Sequence, residues 1–266
     1  MQRCWCSGRR SGPWALSSGG SEGAIVERRR WDLSAALSLD AARELADEVL
    51  FPTANEVDSR PVLPRERLDV LADRGWYGLS APSSGFDIVS ARPVVEAFAG
   101  ACLTTTFVWM QHLGTPPACA FGPEHLRPWV DRLASGARRS TVAFAGLLPD
   151  PPLRARLDDG GWILDGVAPW VSGWGLSDVV HVAARTPEDD VVWLLVEAPS
   201  AGMSSQPLRL LAVNASATVT LSFTAVRVGA DRETSRFPWA TGRLVTRWAS
   251  GRTARAPWAS PGGAAG

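Results

Sequence analysis

The chain has 266 residues, 45% of them hydrophobic, and its formal net charge is zero. This length and apolar content suffice for one large or two modest globular cores. The charge balance gives no indication of nucleic acid or of an anionic membrane surface as a partner. No apolar run reaches the roughly 20 residues of a membrane-spanning helix, so no membrane association is predicted.

The cysteines and histidines argue against a metal site. The four cysteines and three histidines are scattered along the chain, without the paired spacing of a zinc site. A disulfide framework is not expected at this length, so a reducing, cytoplasmic location is predicted. The N-terminal residues also lack the apolar stretch of a secretory signal.

The first half of the chain predicts helices. Residues 1–31 are rich in Gly, Ser and Arg without a hydrophobic period, which predicts a disordered segment. Ser38 is a suitable N-cap for the first helix, which Pro52 should end. Together the helices form a predicted helical domain over 32–137. By their apolar spacing, the predicted helices are 39–51, 64–75, 90–102, 103–113 and 121–136.

From Ser140 the hydrophobic period changes to 2, which predicts strands. Several antiparallel strands at such spacing predict a small barrel or sandwich, here over 138–233. The fold class is therefore α+β, an all-helical N-terminal domain followed by a small antiparallel β-barrel or sandwich, with disordered ends. The predicted strands are 141–145, three short strands within 153–185 with turns at 158–161 and 165–166, then 191–197, 208–213 and 217–228.

One segment of the β-region places a hydroxyl and a glycine between two tryptophans, Trp170 and Trp174. Trp170 could supply a flat apolar wall, and Ser172 a hydrogen-bonding hydroxyl, for a planar cofactor. The same side chains could equally be ordinary sheet residues in a core, where aromatics are common. The segment by itself leaves both interpretations open.

The order of motifs along residues 38–233 resembles the acyl-CoA dehydrogenase family. Residues 71–82 read Leu-Ala-x-x-Gly, two aromatics, then Gly-Leu-x-x-Pro, and residues 133–136 read Leu-Ala-Ser-Gly. Residues 161–173 read Gly-Trp-x-Leu-x-Gly-x-x-x-Trp-Val-Ser-Gly. The resemblance implies a helical domain and a β-domain that together cradle FAD.

The resemblance also implies roles for individual residues. The side chains near an acyl-CoA substrate would be Met110, Gln111, Leu113 and Gly114. The flavin would be bound by Phe144, Ala145, Gly146, Leu147, Trp170, Val171 and Ser172. The sequence departs from the family where Leu147 and Leu148 replace Thr and Glu, and where no Gly-Ser-Asp follows. No acidic residue is identified as a catalytic base, and no metal ligand is predicted.

Residues 234–266 are predicted to be a disordered tail, where the family continues with a helical domain that carries the base. That domain is expected to be missing. The implied function is FAD-dependent α,β-dehydrogenation of an acyl-CoA thioester, impaired in the isolated chain. The implied partners are an electron-transfer acceptor and other subunits of a homo- or hetero-oligomer. Two alternatives remain, a non-catalytic partner subunit in a mixed oligomer and a flavin-dependent monooxygenase on the same scaffold.

Overall fold

A computed structural model describes residues 37–87 and 89–241. The predicted disordered segment 1–31 and the tail from residue 242 lie outside the described residues. The described chain begins with helices and continues with a sheet, which confirms the predicted order. Its α-helices are α1 (Leu39–Leu45), α2 (Ala54–Ser59), α3 (Arg65–Asp73), α4 (Arg92–Ala101), α5 (Leu103–Met110), α6 (Thr115–Phe121) and α7 (Arg127–Ala134).

Helix boundaries follow local chemistry. The Ser38 hydroxyl accepts a hydrogen bond from the Ala41 N–H at 3.1 Å and caps α1, as predicted. Helix α6 was not predicted, because Pro116 and Pro117 suggest a break. Proline is nevertheless compatible with the first turn of a helix, where its missing N–H has no intrahelical acceptor to lose. The helix predicted over 121–136 accordingly begins only at Arg127, after a 3₁₀ turn over 124–126.

The helical region has its own core, built around three large aromatic side chains. Trp76 and Phe98 pack edge to face with ring centroids 5.1 Å apart, and Phe98 and Trp109 do so at 5.4 Å. The Trp109 indole N–H donates to the Trp76 carbonyl at 3.2 Å, so its one polar atom is satisfied inside the core. Helix α5, which ends at the candidate site, is thereby fixed in place.

The second half of the chain forms one eight-stranded sheet in the order β6-β7-β3-β2-β4-β5-β8, with β1 also pairing with β4. Its strands are β1 (Ser140–Ala143), β2 (Leu153–Asp158), β3 (Gly161–Val171), β4 (Val179–Arg185), β5 (Asp190–Glu197), β6 (Met203–Pro207), β7 (Val219–Val228) and β8 (Glu233–Pro238). Both β1 and β2 run parallel to β4. The predicted α+β class is confirmed, but the sheet is mixed and open, whereas the prediction was an antiparallel barrel or sandwich. Period-2 patterning locates strands but does not specify how they pair.

Two predicted strands and the start of the predicted tail differ from the structure. Strand β3 continues through the turn predicted at 165–166, and β6 occupies 203–207 rather than 208–213. Strand β8 pairs antiparallel with β5, so residues 234–238 of the predicted tail belong to the sheet. The burial of Thr234 and Trp239 explains why this polar-looking segment is ordered.

Strand β4 is buried along its whole length, because its two faces contact different layers. Val180, Val182 and Ala184 pack in the sheet's own core. On the opposite face Val179 packs with side chains of α6 and α7. His181, Ala183 and Arg185 follow on that same face. No helix within the described residues is long and apolar enough to cross a bilayer.

Candidate functional site

A cavity of about 480 Å³ lies between the helical region and the sheet. The end of α5, the following turn and α6 form one side, and residues of β1, β4, β5 and β8 form the other. Its size is within the range of small-molecule sites in proteins. The lining residues are Met110, Gln111, Gly114, Thr115, Ala118, Val142, Phe144, His181, Trp193 and Ser235.

The helix side of the cavity is largely apolar. Met110 is 42% exposed, whereas the preceding residues Val108 and Trp109 are buried in the helical core. The Gln111 amide turns back along the helix, and its Nε2 donates to the Phe107 carbonyl at 3.0 Å. Gly114 is exposed, whereas Leu113 packs against the helical core and does not line the cavity. Three of the four predicted substrate residues therefore share this wall.

The sheet side of the cavity is an aromatic cluster. Phe144 is 54% exposed and meets Trp193 edge to face, with ring centroids 5.9 Å apart. The Trp193 and His181 rings are tilted against each other at 4.6 Å. Exposed aromatic surface of this kind favours a flat apolar ligand.

His181 is the one titratable side chain among the lining residues, which include no carboxylate within the part of the chain that the structure describes. Burial lowers the pKa of His181 to about 3, so the ring is neutral near pH 7. The Thr234 hydroxyl donates to the Trp193 carbonyl at 3.3 Å, so His181 Nε2 is assigned as the donor to Thr234 Oγ1, at 3.0 Å. The neutral tautomer leaves Nδ1 as a hydrogen-bond acceptor.

The two buried histidines should make the chain acid-sensitive. Burial also lowers the pKa of His112, whose Nδ1 accepts from the Ser140 N–H at 3.1 Å, to about 3. Below the ordinary histidine pKa of 6.5, His112 and His181 bind protons in the unfolded chain but stay neutral in the folded chain. The free energy of unfolding should therefore fall by about 1.4 kcal/mol per pH unit per histidine as the pH drops from about 6.5 towards 3.

This prediction is checked by urea unfolding at a series of pH values. His181→Gln should remove about half of the histidine-dependent slope, because Gln cannot gain a charge. His125→Gln, at an exposed histidine, controls for loss of an imidazole. An unchanged slope in His181→Gln would contradict the assignment of a neutral buried ring.

The loop that follows β1 carries four predicted flavin-binding residues, Phe144 to Leu147. Ala145 and Gly146 are buried, and Gly146 packs closely against β4. A Cβ added to Gly146 would lie 2.6 Å from both the Cα and the N of Ala184, so only glycine fits this approach. Phe144 alone among the four lines the cavity, while the others shape the backbone behind it.

The other predicted flavin-binding segment, Trp170 to Ser172, is split by a bulge at the end of β3. The β3–β7 register shifts between Ala168 and Val171, and Trp170 has a left-handed φ of 64°. The bulge leaves the indole 67% exposed and returns Val171 to the sheet core. A bulky residue with positive φ is a genuine backbone outlier, and such strain is concentrated at functional positions.

The Ser172 hydroxyl does not face the cavity. Ser172 is 1% exposed, and its Oγ is 2.7 Å from Thr218 Oγ1. Thr218 Oγ1 is also 2.7 Å from Ser216 Oγ, and the Thr141 hydroxyl donates to the Ser172 carbonyl at 2.5 Å. These hydrogen bonds link β1 to the end of β3 and to the start of β7. Ser172 therefore has a structural role in this conformation. A flavin contact from its hydroxyl stays a prediction.

The structure thus brings Met110, Gln111, Gly114 and Phe144 into one cavity and leaves Trp170 exposed elsewhere on the sheet. Sequence reasoning missed His181, Trp193 and Ser235. Trp193 lies in a predicted strand, but which face it occupies depends on strand pairing. Ser235 lies in the predicted tail, where no sequence signal pointed to the site.

The comparisons with known proteins agree with this architecture. Residues 35–137 match the family model "Acyl-CoA dehydrogenase, N-terminal domain". The 3-sulfinopropanoyl-CoA desulfinase of Variovorax paradoxus is 32% identical over 170 residues, which are 59% of this chain and 43% of that protein. The mitochondrial short-chain specific acyl-CoA dehydrogenase of Bos taurus is 26% identical, over 71% of this chain and 50% of its own.

A solved structure, the glutaryl-CoA dehydrogenase of Mycobacterium smegmatis in complex with FADH2, superposes with a TM-score of 0.67. It is 22% identical, and the match covers 80% of this chain and 58% of that one. This similarity establishes the class of fold, a helical region followed by a β-sheet region. The chain is therefore similar to acyl-CoA dehydrogenases, and its residues 35–137 match the N-terminal domain of that family. It spans about half the length of the curated relatives it matches.

Proposed function

We propose that this chain supplies the helical and sheet walls of a FAD-dependent oxidoreductase that dehydrogenates an acyl-CoA thioester. One observation carries the proposal. The end of α5 and the end of β1, which the family resemblance assigned separately to substrate and flavin, line the same cavity through Met110 and Phe144. The named substrates of the relatives, acyl-CoA and 3-sulfinopropanoyl-CoA, share the CoA thioester and support this substrate class.

The described residues fit a flavin in shape and polarity. In the cavity the exposed ring of Phe144 offers aromatic surface for a planar ring system, and the strained Trp170 offers a second exposed indole elsewhere on the sheet. The Phe144–Leu147 backbone would meet the polar edge of the ring, since main-chain groups serve regardless of the side chains present. Two groups that the family uses near the ribityl and phosphate groups differ here, because Leu147 replaces the Thr and no Gly-Ser-Asp follows.

When bound, FAD supplies the acceptor for a hydride from the substrate β-carbon. The chain's own residues would orient the substrate and exclude water from the cavity. Met110 and Ala118 present an apolar surface to an acyl chain, and Phe144 with Trp193 keeps the sheet side dry. His181 stays neutral and places no charge beside the acyl chain. These residues position the α- and β-carbons but do not remove the α-proton.

The absence of a carboxylate from the described cavity lining favours a second candidate function, that of a partner subunit. Removal of the α-proton requires a base with a pKa suited to the reaction, and a His181 pKa of about 3 makes that ring a poor one. A base from another chain would complete the site. In that case this chain binds flavin or substrate and does not turn over alone.

The test is the visible spectrum of the purified full chain during titration with FAD, followed by anaerobic addition of acyl-CoA thioesters of several lengths. Flavin bands that change on binding support the cofactor, and bleaching by acyl-CoA supports dehydrogenation. Phe144→Ala should weaken FAD binding about tenfold, since a lost aromatic contact costs roughly 1–1.5 kcal/mol. Phe121→Ala, at an exposed phenylalanine outside the cavity, is the matched control.

Each result separates the candidates. Flavin binding without bleaching supports the partner subunit. Oxygen-dependent product formation with reduced flavin would instead support the monooxygenase alternative. A chain that binds neither FAD nor acyl-CoA contradicts the proposed function.

A further inference from the structure

Arg185, the last residue of β4, is a buried cation directly behind the Phe144–Leu148 loop. Its side chain is 2% exposed. Its Nε and Nη2 donate to the Gly146 carbonyl at 3.1 and 2.9 Å, and Nη2 also donates to the Leu148 carbonyl at 3.0 Å. Its Nη1 donates to Asp189 Oδ1 at 2.6 Å. All three guanidinium nitrogens are therefore bonded.

This arrangement requires the shape of a guanidinium. Burying a charge is costly unless it is paired and fully hydrogen-bonded, and the fork of Arg185 reaches two carbonyls and a carboxylate at once. A lysine ammonium is a point charge and cannot span the same three acceptors. The side chain thus specifies where the carbonyls of Gly146 and Leu148 lie.

The loop is restrained on both of its sides. Gly146 touches the Ala184 backbone so closely that the loop cannot move further towards β4. Arg185 holds the two carbonyls and prevents movement away from it. The intervening 3₁₀ turn is closed by the Leu147 N–H, which donates to the Phe144 carbonyl at 2.9 Å. The position of Phe144 in the cavity wall follows from these contacts.

Trp239, just after β8, covers the guanidinium. The Arg185 Cζ lies 4.0 Å from the centre of the Trp239 ring, a distance at which a cation and an aromatic face attract each other. The backbone N–H of Trp239 donates to the backbone carbonyl of Asp189 at 3.0 Å. Trp239 also packs on Ala183, the neighbour of the loop on β4. The end of the sheet therefore covers the guanidinium itself, while its partner Asp189 stays exposed.

We propose that Arg185, covered by Trp239, is a positioning residue that sets the backbone of the Phe144–Leu148 loop for the polar edge of the flavin ring. This inference rests on the proposed function, because it concerns the cofactor of the same site. Arg185 acts only through the Gly146 and Leu148 carbonyls. Loss of Arg185 should therefore lower the affinity for FAD and change the environment of the bound flavin, while the overall fold is kept.

The experiment compares Arg185→Lys with wild type in the full chain, and uses Arg227→Lys, at an exposed arginine paired with Asp158, as the matched control. Hydrogen exchange should show the Leu147 and Leu148 amides exchanging at least tenfold faster in Arg185→Lys only. Titration with FAD should show at least tenfold weaker binding and a shifted visible spectrum of the bound flavin. A role of Arg185 in general stability, with no effect on the flavin site, would not shift that spectrum.

Two outcomes overturn the inference. The first is an Arg185→Lys chain that binds FAD within twofold of wild type with the same spectrum. If Arg185→Lys fails to fold, Asp189→Asn is the variant to test. Asp189 is 66% exposed, so this substitution should leave the fold intact and remove only the charge that pairs with Arg185. About threefold weaker FAD binding and a spectral shift are then expected, and no change is the second overturning outcome. Wild type that binds no FAD is a different failure, since it removes the proposed function itself.

Discussion

Trp170→Gly is expected to be more stable than Trp170→Ala by about 1 kcal/mol, the reverse of the usual order in a strand. Both substitutions remove the same indole. Their stabilities should differ because residue 170 has a φ of 64°, a conformation that is strained for alanine but not for glycine. The thermal midpoint of the glycine variant should be about 2–4 °C higher than that of the alanine variant.

The control is the pair Val167→Gly and Val167→Ala, at a partly exposed position of β3 that is not among the residues with positive φ. There the alanine variant should be the more stable. FAD titration adds the functional half of the prediction. Both variants at 170 should bind FAD at least tenfold more weakly than wild type. If they bind it as well as wild type does, the strained indole has no part in the cofactor site.

Gly166→Ala is expected to destabilise the chain by several kcal/mol, on the order of 3–5, and to lower the thermal midpoint by about 10 °C or more. Gly166 has a φ of 125°, and an added Cβ would lie 2.1 Å from the Pro152 carbonyl oxygen and 3.0 Å from Leu153 Cα. Both neighbours are backbone atoms. The same Pro152 carbonyl accepts from the Val167 N–H at 2.9 Å, so it cannot move without breaking the β2–β3 junction.

Gly100→Ala is the matched control. Gly100 lies in α4, and an added Cβ would have nothing within 4 Å. This substitution should stabilise the chain by about 0.5–1 kcal/mol, because alanine loses less backbone entropy in a helix. Thermal unfolding of the two variants is the measurement. A Gly166→Ala chain as stable as wild type would contradict the described path of β3.

Local signals predicted the helical half well. Ser38 caps α1 as its hydroxyl predicts, and apolar spacing located α3, α4 and α5. These features depend on residues a few positions apart, so they can be recognised from sequence. Helix α6 was not predicted, because two prolines in the first turn of a helix cannot be distinguished from a helix break by sequence alone.

The sheet was predicted in content but not in connectivity. Asp165 and Gly166 suggest a turn by their chemistry, yet they lie inside β3 opposite a bulge in β7, where Asp165 Oδ1 accepts from the Ala225 N–H at 2.7 Å. That role depends on a residue 60 positions away. The candidate site follows the same rule. Met110 and Phe144 were found from motifs, whereas His181 and Ser235 reach the cavity only through long-range strand pairing.

Strand β8 lies at one end of the sheet order, bonded to β5 alone, and it carries the chain directly into the tryptophan that seals Arg185. Separation of this edge strand from β5 would expose the Arg185 guanidinium to water, because Trp239 would move away with the strand. The cover over Arg185 therefore depends on the pairing of β8 with β5.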